Sequence, residues 1–243
     1  MAEIINVSAY KFAPLDDLPA KRERLLGQAV ALGLKGTVLL SPEGINLFVA
    51  GTSAAVEAFL QQVRTLSGLE DLTGKLSTST AAPFGRMRVK LKREIIAFGV
   101  EGIDPARQPS RRLAPETLKQ WLDDGMPVTL LDTRNTYEVE RGTFRGAVAA
   151  GITRFRDFPA AVRRLPAELK AQPVVTFCTG GIRCEKAAPL LEREGYQDVY
   201  QLDGGILKYF ERCGGTHYDG ACFVFDAREG VDADLKAMAE RAR

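Results

Sequence analysis

Apolar and polar positions in the first fifty residues follow the strand period and the helix period in turn. Residues 4–12 are rich in β-favouring side chains and predict a strand, and residues 18–32 repeat apolar side chains at the spacing of one helix face. Two further apolar runs, residues 35–40 and 45–50, are separated by a turn that contains proline and glycine. Such runs on both sides of a turn are typical of a β-hairpin.

A second helix and a weaker strand follow the predicted hairpin. Thr52 or Ser53 can cap the helix, because a short hydroxyl side chain accepts a hydrogen bond from a free backbone N–H group. The weaker strand lies within residues 72–79. The resulting order β-α-β-β-α-β predicts a ferredoxin-like α+β domain over residues 1–98.

Strand alternation continues through a strongly basic stretch near the end of this domain. One face of the predicted strand carries Met87, Val89 and Leu91, and the opposite face carries only positive side chains. Positive charges protect an exposed sheet edge against aggregation, but one or two would suffice and acids would serve equally well. Four positives over about 20 Å, at ~3.3 Å per residue, suit a phosphate backbone better, so we predict an RNA-binding face. Its side chains are Arg86, Arg88, Lys90 and Lys92.

Proline and arginine mark residues 99–112 as an extended linker to a second domain. In residues 113–215, predicted strands alternate with predicted helices, which indicates a parallel α/β sheet flanked by helices. The predicted helices include residues 154–165. Residues 216–243 form a C-terminal tail, and residues 232–243 within it predict another helix.

A reactive cysteine is predicted at the carboxyl end of one of these strands. The strand that ends at Phe177 leads into Cys178 and a glycine-rich loop, which ends at Arg183 and is followed by a helix. Gly180 and Gly181 allow successive backbone N–H groups to turn inward as an anion-binding nest. The helix N-terminus adds partial positive charge and Arg183 adds a full one. Since all three favour thiolate over thiol, we predict that Cys178 is acidic and nucleophilic rather than a packed core residue.

Other polar side chains follow the neighbouring strand. Asp132 and Arg134 come at its carboxyl end and Glu138 comes shortly after them. Ligands of parallel sheets bind beyond the carboxyl ends of the strands, so we expect these residues at the same edge as Cys178. Asp132 and Glu138 are expected to orient Arg183 and the loop, and an ordinary surface or ion-pair role is the alternative.

Composition limits the functions that remain. Of 243 residues, 45% are hydrophobic and 26% are charged, as in an ordinary globular protein, and no apolar run approaches the roughly 20 residues of a membrane span. The N-terminus lacks the pattern of a signal peptide, so we expect a cytoplasmic location. Because the net charge is only +2, nucleic-acid binding would depend on local patches.

Cysteines and histidines are too few for a disulfide framework or a common metal site. The four cysteines lie in the last third of the chain, and the spacing of Cys178 and Cys184 with a single His217 does not fit zinc. One histidine also excludes an iron site with two histidines and one carboxylate within the chain. We therefore predict no metal, and a structural role for His217.

The loop carries a family resemblance. Its string Cys-Thr-Gly-Gly-Ile-Arg-Cys-Glu-Lys-Ala, which begins at Cys178, resembles the active-site loop of rhodanese-like domains and, at full length, that of the tRNA uridine hydroxylases, which make 5-hydroxyuridine at the wobble position. Further segments that resemble the same family begin at Ser41, Asp132, Leu202 and Cys222, and together the resemblance covers nearly the whole chain. Longer relatives carry a cysteine-rich tail, so any metal-binding or tRNA-binding role of that tail is expected to be absent or replaced here.

The resemblance implies an enzyme that acts on tRNA. Cys178 would be a catalytic thiol able to hold a persulfide, with Gly180, Gly181 and Arg183 stabilising its charge. Dioxygen would be the co-substrate, no cofactor is evident, and neither a membrane nor a protein partner is implied. One hypothesis is that the Cys178 thiolate adds to C6 of uridine, which leaves a nucleophilic C5 that reacts with dioxygen. Cys184 could resolve a persulfide or sulfenate, or simply pack in the interior.

Two other functions remain open at this point. A sulfurtransferase that uses thiosulfate or another persulfide donor would leave the basic strand without a purpose, and a non-catalytic tRNA-binding or scaffold protein would leave the Cys178 loop without one. A cysteine phosphatase ranks lower. The loop has four residues between Cys178 and Arg183, one fewer than in those phosphatases, and a tighter nest suits a sulfur atom or a small anion better than phosphate.

Overall fold

The structure is a computed structural model and describes residues 4–228 and 230–238. The chain divides into two compact units, of which the first ends at Ala97 and the second begins at Phe98. Each unit is built around its own sheet of five strands.

The first unit contains the predicted order β-α-β-β-α-β, followed by one more strand. Its sheet has the order β4-β1-β3-β2-β5, and every pair in it is antiparallel except β2 with β5. Thr52 caps the second helix, since its Oγ1 accepts a hydrogen bond from the backbone N–H of Ala55 at 3.3 Å. The elements are β1 (Ile4–Phe12), α1 (Leu18–Ala31), β2 (Lys35–Ser41), β3 (Gly44–Gly51), α2 (Ser53–Arg64), β4 (Lys75–Ser79) and β5 (Met87–Leu91).

Both helices of this unit pack on one face of the sheet. Leu25 of α1 and Phe59 of α2 are fully buried in one core with Leu47 of the central strand β3. The basic strand β5 lies at the edge of the sheet, where it pairs only with β2 among the described strands. Val89 is buried as predicted, whereas Leu91 is 40% exposed because the strand ends at that residue.

The second unit contains the predicted parallel sheet, in the order β6-β11-β10-β7-β9. All four neighbouring pairs are parallel. The register pairs Phe177 with Asp132, so that the residues after each of them leave the sheet side by side. The elements are β6 (Arg112–Leu113), α3 (Pro115–Asp123), β7 (Thr129–Asp132), α4 (Thr136–Val139), β8 (Gly142–Phe144), β9 (Val148–Ala149), α5 (Phe158–Val162), β10 (Val174–Phe177), α6 (Cys184–Arg193), β11 (Val199–Leu202), α7 (Gly205–Cys213) and β12 (Tyr218–Gly220).

The segment predicted as a linker lies within the second unit. Phe98 is buried, and its ring stacks on Phe155 with the centroids 4.9 Å apart. Arg193 donates hydrogen bonds to the carbonyl oxygens of Glu101 and Gly102 at 3.0 and 2.8 Å. The end of the segment enters the sheet as β6.

The first half of the C-terminal tail folds back onto the second unit. β12 pairs with β8 as a small antiparallel sheet. Beyond it, Cys222 and Val231 exchange two backbone hydrogen bonds of 2.9 Å and close a loop between them. We call residues 223–228 of this stretch the C-terminal loop.

Two predicted helices differ in the structure. Residues 154–165 form a short 3-10 helix, Phe155–Asp157, and then α5, which begins next to Pro159 because proline fits the first helical turn. Residues 232–238 are not helical. The carboxylate of Asp232 accepts hydrogen bonds from the backbone N–H groups of Asp234 and Lys236 at 3.0 and 2.9 Å, which favours a turn. Residues 239–243 of the predicted helix lie outside the described residues.

Within residues 4–228 and 230–238, no helix is long and apolar enough to cross a bilayer.

Candidate active site around Cys178

The Cys178 loop connects the central strand β10 to helix α6. Gly181 has a positive φ of 97°, and its backbone N–H donates a hydrogen bond to the sulfur of Cys178 at 3.1 Å. Gly180 lies half-buried between Thr179 and Gly181. α6 begins at Cys184, so its N-terminal N–H groups and their partial positive charge are directed toward the loop.

The residues around Cys178 lower the pKa of its thiol. Burial raises the pKa of Cys178, but the Cys184 thiol, the Arg183 guanidinium and the backbone N–H groups of Arg183 and Gly181 outweigh it and lower the pKa from 9.0 to about 5. The surroundings of Cys178 therefore favour the thiolate over the thiol.

Cys184 is the protonated partner of this thiolate. Its side chain is fully buried behind Cys178, with the hydroxyl of Thr133 3.9 Å from its sulfur. Burial and the neighbouring Cys178 raise the pKa of Cys184 well above 9.0. A thiol that keeps its proton can donate a hydrogen bond to the Cys178 thiolate, which is a third role beside the resolving and packing roles considered from sequence.

Arg183 is fixed by a buried carboxylate. Its two terminal nitrogens donate hydrogen bonds to the two carboxylate oxygens of Glu138 at 2.6 and 2.7 Å. Arg183 is 4% exposed and Glu138 is fully buried, so water does not screen the pair. Burial lowers the pKa of Arg183, but Glu138 outweighs it and the net shift is upward. Glu138 therefore orients Arg183, which is the geometry expected from the sequence.

Asp132 differs from this expectation, because it pairs with Arg134 and not with Arg183. Its carboxylate accepts hydrogen bonds from Nε and from a terminal nitrogen of Arg134 at 2.9 and 2.6 Å. Thr143 donates a further hydrogen bond to Asp132 at 2.8 Å, and Arg134 donates one to the carbonyl oxygen of Gly142 at 2.6 Å. Asp132 and Arg134 are only two residues apart on the chain, and they form a second buried ion pair. Their hydrogen bonds with Thr143 and Gly142 connect β7 to β8.

The Cys178 sulfur is more enclosed than the sequence predicted. The sequence predicted a reactive residue rather than a packed core residue, whereas only 1% of Cys178 is exposed. The C-terminal loop lies against the Cys178 loop. Thr179 donates a hydrogen bond to the carbonyl oxygen of Phe223 at 3.3 Å, and the ring of Phe225 lies 5.8 Å from the Arg183 guanidinium.

Helix α7 supports the loop from the other side. The backbone N–H groups of Ile206 and Leu207 donate hydrogen bonds to the carbonyl oxygens of Cys178 and Thr179 at 3.0 and 3.1 Å. A Cβ at Gly205 would lie 2.4 Å from the Cys178 carbonyl oxygen, so only glycine allows this approach. Gly204-Gly205 is visible in the sequence, but its contact with a loop more than twenty residues earlier follows only from the fold.

The remaining cysteines and the histidine lie in other surroundings. Burial raises the pKa of Cys222 to about 12, and Cys213 is half-buried on α7 with a raised pKa for the same reason. Nε2 of His217 shares a hydrogen bond of 2.7 Å with Asp123. Within residues 4–228 and 230–238, no group of three or more histidine, cysteine or acidic side chains is arranged to hold a metal ion.

The predicted RNA-binding face belongs to the first unit. Arg86, Arg88, Lys90 and Lys92 are all exposed, and none of them forms an ion pair with another described residue. Arg22 of α1 donates a hydrogen bond to the carbonyl oxygen of Val89 at 3.2 Å and lines a shallow depression beside the basic side chains.

Comparison with known proteins covers both units. Residues 4–95 match the UPF0176 acylphosphatase like domain, and residues 114–212 match the Rhodanese-like domain. The chain is 54% identical to a tRNA uridine(34) hydroxylase of Bordetella avium, over 97% of this chain and 99% of that protein. It is 50% identical to a protein of the same name from Thiobacillus denitrificans, over 98% of each chain. The likeness thus includes the Cys178 loop, the basic strand and the C-terminal loop.

Proposed function

The chain belongs to the family of tRNA uridine(34) hydroxylases and is an oxidoreductase of that activity, and from this premise we propose that Cys178 is its catalytic nucleophile. The observation that supports this role is the ionised sulfur. Cys178 has a pKa of about 5 beside a buried arginine, whereas burial raises the pKa values of Cys184, Cys213 and Cys222. A thiolate is the nucleophilic form of cysteine, so only this one is prepared for attack at neutral pH.

The reaction proceeds by attack of the Cys178 thiolate on C6 of the uracil ring, which makes C5 nucleophilic toward dioxygen. One oxygen atom remains on C5 as the hydroxyl group and the other leaves as water. This balance requires two electrons and two protons, which two cellular thiol groups supply as they join in a disulfide. Loss of the sulfur from C6 then restores the double bond and the thiolate. Dioxygen is the co-substrate, and the scheme requires no bound cofactor.

The residues around Cys178 act on the sulfur. Arg183, held by Glu138, and the N–H group of Gly181 stabilise the thiolate when it is released from C6. Gly180 provides the backbone freedom of the loop. Asp132 and Arg134 hold the strand ends beneath it. The pairs Arg183–Glu138 and Arg134–Asp132 are buried and hydrogen-bonded, so little reorganisation is needed when the charge on sulfur changes.

The tRNA contacts the exposed positive face of Arg86, Arg88, Lys90 and Lys92 in this proposal. Their charges meet no carboxylate among the described residues, so they are available to phosphate groups. A tRNA substrate also favours a cytoplasmic location.

Replacement of Cys178 by serine tests the proposed nucleophile. Mass analysis of wobble nucleosides from cells that depend on this protein should show loss of 5-hydroxyuridine with Cys178→Ser, and an in vitro rate reduced by at least about 10³-fold. Cys213→Ser is the matched control and should retain the modification. Unchanged 5-hydroxyuridine in the Cys178→Ser cells contradicts the proposal. Trapping of a covalent complex with tRNA that carries a 5-substituted uridine should likewise require Cys178.

Sulfur transfer is the second candidate, because residues 114–212 match the Rhodanese-like domain. A thiolate with a pKa of about 5 can accept a sulfur atom from thiosulfate as readily as it attacks a base. Turnover of thiosulfate and cyanide by the wild-type protein, together with an unchanged wobble nucleoside in the absence of the protein, would favour this activity.

A further inference from the structure

Three aromatic side chains lie in contact with one another beside the Cys178 loop. The Tyr137 and Phe223 rings lie 5.3 Å apart at an interplanar angle of 79°, and the Phe223 and Phe225 rings lie 5.2 Å apart at 82°. Tyr137 is 44% exposed and Phe225 is 48% exposed, while Phe223 is half-buried. We call these three residues the aromatic cluster.

The cluster is joined to the catalytic loop at three points. Tyr137 directly precedes Glu138, which holds Arg183. The carbonyl oxygen of Phe223 accepts the hydrogen bond from Thr179, the neighbour of Cys178. The guanidinium of Arg183 lies over the Phe225 ring. A ligand in contact with the exposed rings therefore lies next to the groups that hold the thiolate.

The loop that carries two of these rings is braced. Its ends are closed by the paired backbones of Cys222 and Val231. Within it, the Asp226 carboxylate accepts hydrogen bonds from Nε and a terminal nitrogen of Arg228 at 2.9 and 2.6 Å. Val224 between the two rings is buried in the core of the unit. These contacts hold the Phe223 and Phe225 rings in fixed positions beside the Cys178 loop.

We propose that the aromatic cluster is the stacking platform that receives the unstacked pyrimidine base of a single-stranded RNA loop and guides it to Cys178. This proposal rests on the proposed function and names the site where the base binds. Proteins that recognise single-stranded RNA stack its bases on aromatic rings and guanidinium planes, and enzymes that modify a base take it out of its stack. Thiosulfate or a phosphate group alone would gain nothing from three apolar rings.

A cycle of protein and RNA changes tests the platform in the full-length chain. The RNA is an anticodon stem–loop with either uridine or an abasic nucleotide at the target position, and its affinity is measured by fluorescence anisotropy. Stacking of one base on an aromatic side chain changes affinity by about 5-fold to about 150-fold. Wild-type protein should lose affinity within that range when the base is removed.

The protein variants are Phe225→Leu and Tyr137→Leu, which keep an apolar side chain and remove the π face. Each should bind the abasic RNA as the wild type does and lose most of its preference for the RNA with uridine. Met126→Ala, at a residue of the second unit that is 38% exposed, is the matched control and should retain the full preference. Thermal unfolding of each variant shows whether the fold is kept, and Phe225→Tyr should restore the preference if the π face is what matters.

The outcomes separate this proposal from the function on which it rests. If wild-type protein hydroxylates the stem–loop but binds the uridine and abasic RNAs equally, the platform is wrong and the hydroxylase function stands. If the leucine variants lower sulfur uptake from a protein persulfide donor and leave the RNA preference unchanged, the cluster is a protein-docking surface and the proposal is again wrong. If wild-type protein neither binds nor hydroxylates the RNA, both proposals fail.

Discussion

Two sets of positive side chains in this protein have opposite surroundings. The four cations along β5 are exposed to solvent and form no ion pair with another described residue. Arg134 and Arg183 are almost completely buried, and each makes two hydrogen bonds to one carboxylate. Exposed charges act over a distance and are screened by salt, whereas a buried, paired arginine creates a fixed local field. The same residue types are therefore open to an external anion in one unit and fixed beside a sulfur atom in the other.

The largest effect is expected from removal of the arginine next to the sulfur. Arg183→Met leaves the Glu138 carboxylate buried without its partner and should lower the free energy of unfolding by about 3–5 kcal/mol. It also removes a charge that lowers the pKa of Cys178, so this pKa should rise from about 5. Urea unfolding measures the first change, and the ultraviolet absorbance of the thiolate as a function of pH measures the second.

A double substitution separates stability from electrostatics in this experiment. Arg183→Met combined with Glu138→Gln removes the unpaired charge and should recover part of the stability while the Cys178 pKa stays raised. Arg88→Met is the exposed control and should change the free energy of unfolding by no more than about 0.5 kcal/mol. A Cys178 pKa that remains near 5 without Arg183 would show that backbone N–H groups and Cys184 suffice.

Neutralisation of the exposed set should leave the fold intact and weaken RNA binding. When the four β5 cations are replaced by glutamine, the slope of log affinity against log salt should decrease by about 3 to 4 if each contacts one phosphate. Arg156→Gln with Arg164→Gln, at two exposed arginines of the second unit, is the control with the same kind of change. An unchanged slope, together with aggregation of the neutral variant, would instead assign these charges to protection of the sheet edge.

The sequence predicted the exposed cations and the acidic sulfur through different signals. Alternation along β5 was enough to place Arg86, Arg88, Lys90 and Lys92 in solvent, because a strand has only two faces. The thiolate environment followed from the glycines and arginine of a short loop, which are local to Cys178. The β-α-β-β-α-β order and the parallel sheet were predictable for the same reason. The spacing of apolar residues in each element, and the turn residues that follow it, lie within one short segment of the chain.

Partners distant in sequence were not predictable in the same way. Both carboxylates follow the same strand, so the sequence does not show that Arg183, 45 residues away from Glu138, pairs with Glu138 and not with Asp132. Likewise, the C-terminal loop reaches Thr179 and Arg183 only because Cys222 pairs with Val231 and Val224 enters the core. The predicted tail helix failed for a local reason that was visible, because Asp232 competes for the backbone N–H groups of its own turn.

The smallest expected effect is the change in the Cys178 pKa with salt concentration. It distinguishes the buried arginines from the exposed cations of β5. When salt rises to about 1 M, the Debye length falls to about 3 Å and exposed charges separated by more than that distance cease to interact. RNA affinity should then fall by orders of magnitude, whereas the pKa of Cys178 should move by less than about 0.5 because ions do not enter the space between its sulfur and Arg183. Since the pKa is lowered, the thiolate is present above about pH 5 and lost as the pH falls through that value at either salt concentration. A large upward shift in concentrated salt would mean that solvent reaches the Arg183–Glu138 pair, and that the field at the sulfur is of the same screened kind as the field of β5.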